Sequence, residues 1–262
     1  MKVLSLHRYP VKSLRGIDLP EAPVDERGLV GDREFVITDL EGRFLTQRQL
    51  PIMALVRASF HHEHLHLRFE GQEISAHVPD QGDEKIIQVW KDQVRARRVS
   101  PQADHFLTQA LGTPVQLFRV SQPRPGRDKK TGEAFEIRFP DQAPVLLTTT
   151  KSLEALNAAI EHPLPMSRFR PNIVIDGLEA WVEESWGKIT IGDMEFAVLK
   201  PCSRCKIITI DQLTGQVGSP EALQALKNDV KGHRPTADFG VHLRVLRPGV
   251  LRVGDAVQQR PV

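Results

Sequence analysis

Two cysteines at positions 202 and 205 are the residues in this sequence best suited to chemistry. Cys202 and Cys205 are its only cysteines and lie close together, so a disulfide framework is excluded. Arg204 and Lys206 stand beside them, and neighbouring cations favour the thiolate form that binds soft metals. Spacing alone leaves two interpretations open: a functional thiol, or two incidental thiols.

Two common kinds of Cys-x-x-Cys site fit this segment poorly. A zinc site needs two more ligands, and no histidine lies within 25 residues of the motif on either side. A thioredoxin-like motif opens a helix, whereas the alternating residues 207–210 predict a strand after the motif. We expect Pro201 to separate that strand from the apolar strand at 195–199 before it.

Three other segments carry residues that could bind an anion. Lys12 and Ser13 stand where the first strand ends, and a cation, a hydroxyl and free loop amides suit a phosphate. Arg33 follows a glycine–aspartate turn, and Arg170 leads into an apolar strand at 173–175. The alternatives are a solvated turn for Lys12 and Ser13, local charge pairing for Arg33 and a buried ion pair for Arg170.

Histidines and basic residues also cluster. The four histidines between positions 61 and 66 are His61, His62, His64 and His66. Three of them would share one strand face, but they are too widely spread to hold one ion unaided, so we expect a solvated outer face. The basic segments 95–98 and 124–130 are either ordinary soluble surface or docking sites for an acidic protein or a cofactor phosphate.

The composition is that of a soluble globular protein. The chain has 262 residues, 40% hydrophobic and 26% charged, enough for one large domain or two small ones. A net charge of +2 gives no reason to expect nucleic acid as a partner. No apolar run could span a membrane, and the N-terminal apolar stretch is too short for a signal peptide. We predict a cytoplasmic protein.

The first half of the sequence predicts many short strands. A hairpin is expected around residues 39–42, an alternating strand at 64–69, and a second hairpin from residues 85–90 and 94–99. Ser100 and Gly112 suit the two ends of a helix between them. Such a run of short strands is typical of a small barrel or sandwich.

The second half mixes strands and helices. The Pro- and Gly-rich segment 121–132 predicts a loop and the best candidate domain junction. A strand near 145, a helix at 152–160, further strands and a short helix from Ser219 follow. The chain closes with a strand pair around residues 247–249. The whole pattern indicates a mixed, β-rich α+β fold.

Taken together, the motifs resemble those of the MOSC superfamily, in the expected order. The matching segments are 9–16 (YPVKSLRG), 31–35 (GDREF), 169–174 (FRPNIV), 201–205 (PCSRC) with Thr209, Asp211, Thr214 and Gly215, then 238–240 (DFG) and 253–255 (VGD). The arrangement is similar to bacterial proteins with an N-terminal MOSC β-barrel domain and to the mitochondrial amidoxime-reducing components. The resemblance implies such a barrel at 1–118, followed by a MOSC β-barrel domain with a few peripheral helices at 119–262.

The resemblance also implies a cofactor. In this family, molybdenum is held by one pterin dithiolene, oxo groups and one cysteine, which falls on Cys205. The other implied cofactor contacts are Lys12, Ser13 and Arg33 for the pterin phosphate and ring, together with Arg170, Asn172, Ser203 and Arg204. Small hydroxyl residues common before Pro144 are replaced here by Gln142 and Ala143, so those contacts must come from the backbone or be lost. Neither an iron–sulfur cluster in this chain nor pyridoxal phosphate is expected.

By resemblance, the implied activity is the reduction of N–O bonds in small N-hydroxylated compounds, such as hydroxylamines, amidoximes and N-hydroxylated base analogues, which is a detoxification. Electrons would come from a separate ferredoxin- or flavodoxin-like protein with its reductase. One alternative is a non-catalytic carrier of the molybdenum cofactor, or of sulfur as a persulfide on Cys205. Another is a binding module without chemistry.

Overall fold

Alternating apolar residues build most of this molecule, because they give each strand one buried and one exposed face. The computed structural model describes residues 1–228, 230–232 and 236–260. The strands of the first half are β1 (Val3–Arg8), β2 (Ile17–Leu19), β3 (Glu21–Asp25), β4 (Gly28–Leu29), β5 (Phe35–Thr38), β6 (Arg57–His61), β7 (His64–Phe69), β8 (Gln72–His77), β9 (Glu84–Val89), β10 (Asp92–Arg98) and β11 (Gln116–Val120). Those of the second half are β12 (Arg124–Arg127), β13 (Ala134–Ile137), β14 (Val145–Thr149), β15 (Ile173–Ile175), β16 (Lys188–Ile191), β17 (Met194–Ser203), β18 (Asp238–Arg247), β19 (Gly249–Arg252) and β20 (Val257–Arg260).

The helices are few and short, so the fold is the predicted β-rich mixture. The α-helices are α1 (Pro101–Leu111), α2 (Thr150–Ala158) and α3 (Glu221–Lys227). Single 3-10 turns cover Pro51–Ala54, Met166–Phe169, Val182–Ser185 and Lys206–Thr209. None of the helices in the described ranges is long and apolar enough to cross a membrane.

The largest sheet joins both halves of the sequence. Its eight strands run in the order β2-β1-β15-β14-β18-β17-β16-β20. All neighbours are antiparallel except β14 and β15, which are parallel. Since β1 is antiparallel to β15, the end of β1 and the starts of β14 and β15 meet at one edge. The core of this sheet contains Leu6, Leu147 and Phe196 among its buried side chains.

A second core lies in the first half. The sheets β6-β7-β8 and β5-β11-β10-β9 contribute to it together with α1. Phe35, Leu65, Leu67 and Leu107 are fully buried there. The division at residues 118 and 119 stays a prediction; strand pairing crosses it, since β1 pairs with β15 and β3 with β19.

Several predicted elements are confirmed. β7 has the expected bounds and buries Leu65 and Leu67, and β9 and β10 form the expected hairpin. The Ser100 hydroxyl accepts a hydrogen bond from the Ala103 amide at 3.1 Å at the start of α1. Gly112 ends that helix in the left-handed conformation. Strong periodicity and capping chemistry were therefore sufficient for these elements.

The strand predicted at residues 207–210 is wrong, because Lys206–Thr209 form a 3-10 turn that begins at Cys205. The turn buries Ile208 in a cluster with Phe169 and Phe239. Packing of this kind overrides the preference of β-branched residues for extended backbone. Cys205 therefore precedes a tight turn.

Pairing partners account for the other corrections. The expected loop at 121–132 contains β12, which pairs with β13, and Pro201 lies inside β17 opposite Val241, where the register shifts. β18 and β19 do not form the expected pair, because β19 joins β3. The expected hairpin around 39–42 keeps its turn but only one bridge, Thr38 to Phe44, since β5 pairs with β11. Sequence periodicity does not encode these long-range partners.

Gly240 tests how closely β18 packs on β14. Its φ is +72°, and a Cβ atom there would lie 2.5 Å from the Leu147 carbonyl oxygen. Gly112 has a similar φ of +68° but open space around it. We expect Gly112→Ala to cost about 1–2 kcal/mol of unfolding free energy from backbone strain alone. Gly240→Ala should cost roughly 1–3 kcal/mol more because of the overlap. Urea unfolding of both variants measures this, and equal losses would contradict the close packing.

Candidate functional site

A pocket beside the edge where β1, β14 and β15 meet collects every predicted site residue. Its volume is about 820 Å³ including the part open to solvent. All eight residues implied by the family resemblance line it: Lys12, Ser13, Arg33, Arg170, Asn172, Ser203, Arg204 and Cys205. These residues come from four separate segments of the chain, so the fold assembles what the sequence scatters.

Three residues of this pocket have a left-handed backbone. Ser13, Arg33 and Arg170 have φ angles of +68°, +46° and +54°. Such conformations are uncommon for residues with side chains and cost on the order of 1–3 kcal/mol each. Such conformations persist where the surrounding structure fixes them. Here all three residues line the pocket.

Tyr9 is the centre of the packing behind the pocket. The guanidinium carbons of Arg33 and Arg170 lie 4.2 and 4.3 Å from the centre of its ring. Its hydroxyl donates to the Pro171 carbonyl oxygen at 3.2 Å, and burial raises the pKa of this phenol. Gly16 is needed beside it, because a Cβ atom there would overlap the ring. The Tyr9 ring thus holds two cations close together through cation–π contacts.

Arg170 is fixed by partners inside the protein. Its guanidinium donates to the Gln212 amide oxygen at 3.0 Å and to the Leu14 carbonyl oxygen at 2.8 Å. No carboxylate in the described residues forms an ion pair with it, which corrects the buried-ion-pair alternative. Burial lowers the pKa of Arg170 to about 10, so the group stays cationic at neutral pH.

Arg33 and Asn172 form one connected network with Asp32. The Arg33 guanidinium donates to the Asp32 carboxylate at 2.7 Å and to the Asn172 side-chain oxygen at 3.1 Å. That oxygen also accepts from the Leu146 amide, and the Asn172 amide group donates to the His7 carbonyl oxygen. Asn172 therefore connects Arg33 to two further segments, at Leu146 and His7, while Arg33 keeps further N–H donors for a ligand.

Lys12 already has an acidic partner. Its ammonium donates to the Phe139 carbonyl oxygen at 2.8 Å and pairs with Asp141. Burial alone raises the pKa of the Asp141 carboxyl, but Lys12 holds it well below its usual range, aided by Trp90, whose indole N–H donates at 3.0 Å. Burial lowers the pKa of Lys12, against the effect of Asp141. An anionic ligand at Lys12 must share it with this carboxylate.

The pocket as a whole favours an anion. Its lining in the described chain contains the cations Lys12, Arg33, Arg170 and Arg204 but only one carboxylate, Asp141. Ser13 is a buried residue, and its hydroxyl makes no hydrogen bond within the described ranges. A free donor beside clustered cations is the arrangement expected for a phosphate.

Cys205 is exposed at this pocket and precedes the 3-10 turn. Arg48, from a turn in the first half of the chain, points one guanidinium nitrogen at the Cys205 sulfur at 3.5 Å. Arg48 packs 4.5 Å over the ring of Trp90. Sequence reasoning missed both residues, because neither stands in a motif or at a diagnostic spacing.

Cys202 lies in different surroundings, buried under Arg204 and next to His242. Arg204 contacts its sulfur at 2.9 Å and also donates to the Phe169 carbonyl oxygen. Burial alone raises the pKa of this thiol, but Arg204 and His242 lower it to about 6. His242 was missed because it is distant in sequence; β18 brings it beside the motif by pairing with β17.

Two other groups of residues singled out in the sequence differ in their position relative to the pocket. Gln142 and Ala143 line it, so the departure from the family pattern is at the site itself. The four histidines lie on β6, β7 and the turn between them, away from the pocket. Among the described residues, no three His, Cys, Asp or Glu side chains are arranged to hold a metal ion.

Comparison with known proteins identifies the family. Residues 1–114 match the model of the MOSC N-terminal beta barrel domain, and residues 134–258 match that of the MOSC domain. The mitochondrial amidoxime-reducing component 1 of Xenopus laevis is 30% identical over 95% of this chain and 79% of its own length. The chain belongs to the MOSC family.

Further likenesses extend over nearly the whole of this MOSC chain. Component 2 of Rattus norvegicus is 29% identical over 95% of the chain and 80% of its own length. The solved YUAD protein of Bacillus subtilis covers 98% of the chain and 93% of its own, with 12% identity and a TM-score of 0.45. The two family matches fall on either side of the predicted domain junction at 121–132.

The thiolate of Cys202 gives this MOSC protein a pH dependence. A folded-state pKa of about 6 lies below the ordinary value of 9.0. The thiolate therefore stabilises the fold fully above pH 9, and this contribution is lost as pH falls through 6. The upper limit is about 4 kcal/mol, at about 1.4 kcal/mol per pKa unit. Unfolding of Cys202→Ser and of its parent, both carrying Cys205→Ser, should diverge as pH rises from 6 to 9. Parallel curves would contradict a buried thiolate.

Proposed function

We propose that this chain is a molybdenum-cofactor-dependent reductase of small N-hydroxylated compounds. The observation that carries the proposal is the exposed Cys205 thiol at a cationic pocket that contains all eight residues expected to hold the cofactor. The relatives named amidoxime-reducing components support the same reaction class, because an amidoxime contains an N–O bond. The relatives supply the reaction class, and the geometry adds that the residues named by the resemblance lie in one pocket.

The residues present fit a phosphate-bearing pterin. Lys12 and Ser13 would hold the phosphate, since both line the pocket and one supplies a cation, the other a hydroxyl. Arg33 would bind the phosphate and ring with its remaining donors. The further contacts would come from Arg170, Asn172, Ser203 and Arg204. Asn172 would act by holding Arg33, because its own amide is engaged by the backbone.

Reduction of a hydroxylamine converts R–NHOH, two electrons and two protons into R–NH2 and water. When bound, the cofactor would supply the two electrons that cleavage of the N–O bond requires. The chain itself contributes a soft thiolate ligand at Cys205 and fixes the loop that carries it. The Arg204 guanidinium contacts the Cys202 sulfur and donates to the Phe169 carbonyl oxygen. These contacts fix the loop that carries Cys205.

Electrons would come from a separate ferredoxin- or flavodoxin-like protein and its reductase. The chain has no Gly-x-Gly-x-x-Gly segment for a dinucleotide and no cysteines left for a cluster. The basic segments 95–98 and 124–130 stay candidate docking surfaces for this carrier. Arg95 and Arg97 pair with Glu84, Arg98 with Asp104, and the buried Arg124 with Asp92. Segment 124–130 is the better candidate, because Arg127, Lys129 and Lys130 are exposed and form no ion pair among the described residues.

Substitution of each cysteine distinguishes the proposed metal ligand, Cys205, from the supporting residue, Cys202. With a reduced viologen dye as electron donor, the protein from a cofactor-producing host should reduce benzamidoxime. Cys205→Ser should remove turnover, because a hard hydroxyl replaces the soft thiolate ligand. Cys202→Ser should lower turnover by roughly tenfold or less, because it only loosens the support of Arg204. Steady-state rates per chain measure both variants.

Three outcomes would contradict the proposal. Robust turnover with NADPH and this chain alone would mean that a nucleotide site exists and that no separate donor is needed. A cofactor-loaded protein without turnover on any N-hydroxylated compound would favour the carrier alternative. A persulfide on Cys205 with no pterin would favour sulfur transfer instead.

A further inference from the structure

Arg48 holds a cationic group directly beside the reactive thiol. One of its terminal nitrogens is 3.5 Å from the Cys205 sulfur, although the two residues are far apart in sequence. Arg48 belongs to the first half of the chain and Cys205 to the second. The contact therefore places a group from the N-terminal part of the chain at the position where a substrate must approach.

Stacking on an aromatic ring holds the Arg48 guanidinium in place. It packs on the indole of Trp90 at 4.5 Å, and Phe44 contacts the same indole with ring centres 5.0 Å apart. Trp90 is itself fixed, since its indole N–H donates to Asp141 and its backbone is left-handed with φ +56°. A stacked guanidinium loses little conformational entropy when it binds a ligand.

The charge of Arg48 is not compensated by an ion pair within the described ranges. The nearby Asp141 is taken up by Lys12 and Trp90. Of the five N–H donors of Arg48, one hydrogen-bonds within the described part of the chain, to the Cys205 sulfur. A free, pre-positioned donor fork is suited to the two oxygens of a carboxylate or phosphate.

We propose that Arg48, clamped on Trp90, is an anion-binding subsite for the substrate. It would select N-hydroxylated compounds that carry a carboxylate or phosphate group close to the N–O bond. The inference deepens the proposed reductase function and rests on it for the reaction. The cofactor phosphate is assigned to Lys12, Ser13 and Arg33, so Arg48 remains available to the substrate.

The first test uses the chain without cofactor, carrying Cys202→Ser so that Cys205 is its only thiol. Alkylation rates are measured with iodoacetate, which is anionic, and iodoacetamide, which is neutral. Arg48→Gln should lower the ratio of the two rates by roughly threefold to tenfold, the range for a half-exposed charged contact. Arg48→Lys should retain part of the ratio. Lys206→Gln, which removes an exposed cation next to Cys205 in sequence, is the matched control and should change the ratio less.

The second test uses the cofactor-loaded protein with benzamidoxime and its ortho-carboxylate, which holds the anion close to the N–O bond. Arg48→Gln should raise KM for the carboxylate by a similar factor and change KM for benzamidoxime less, with the molybdenum content retained. Loss of molybdenum would assign Arg48 to the cofactor and overturn the subsite, as would equal effects of Arg48→Gln and Lys206→Gln on alkylation. If the loaded protein reduces neither compound, the reductase proposal fails, and the alkylation ratio still decides whether an anion subsite exists.

Discussion

Two like charges held on one buried tyrosine are the constraint on which the site depends. Arg33 and Arg170 would repel each other, and burial disfavours both cations. The Tyr9 ring, the Asp32 carboxylate and backbone carbonyl oxygens offset that cost. The same contacts join the end of β1 to the start of β15. Without this cluster, the left-handed turns around the pocket would lose what fixes them.

Two sets of contacts extend from this cluster, one through Asn172 and one through Gln212. Asn172 connects Arg33 to β14, and Gln212 connects Arg170 to Gln47 of the first half. These contacts keep donors aimed at one space before any ligand arrives, which reduces the reorganisation needed on binding. Cys205 stands at the outer side of that space, where the first half of the chain reaches it through Arg48. The two halves therefore share the site.

The residues of the site could be predicted from the sequence more fully than their arrangement in space. Cys205, Lys12 and their six companions could be named from motifs in the expected order, and periodicity and caps located β7 and α1. The 3-10 turn after Cys205 and the pairing of β19 with β3 could not be predicted, because both depend on distant partners. Arg48 was hidden for the same reason. A side chain that acts across two halves of a chain has no local signature.

Molybdenum content, measured on protein from a host that makes the cofactor, decides whether Cys205 is a metal ligand. We expect close to one molybdenum and one pterin per chain, with X-ray absorption showing one protein sulfur ligand beyond the dithiolene pair. Cys205→Ser should lose that additional sulfur, whereas Cys202→Ser should keep it. Absence of molybdenum and pterin from the unaltered chain, or an unchanged sulfur shell in Cys205→Ser, would contradict the account.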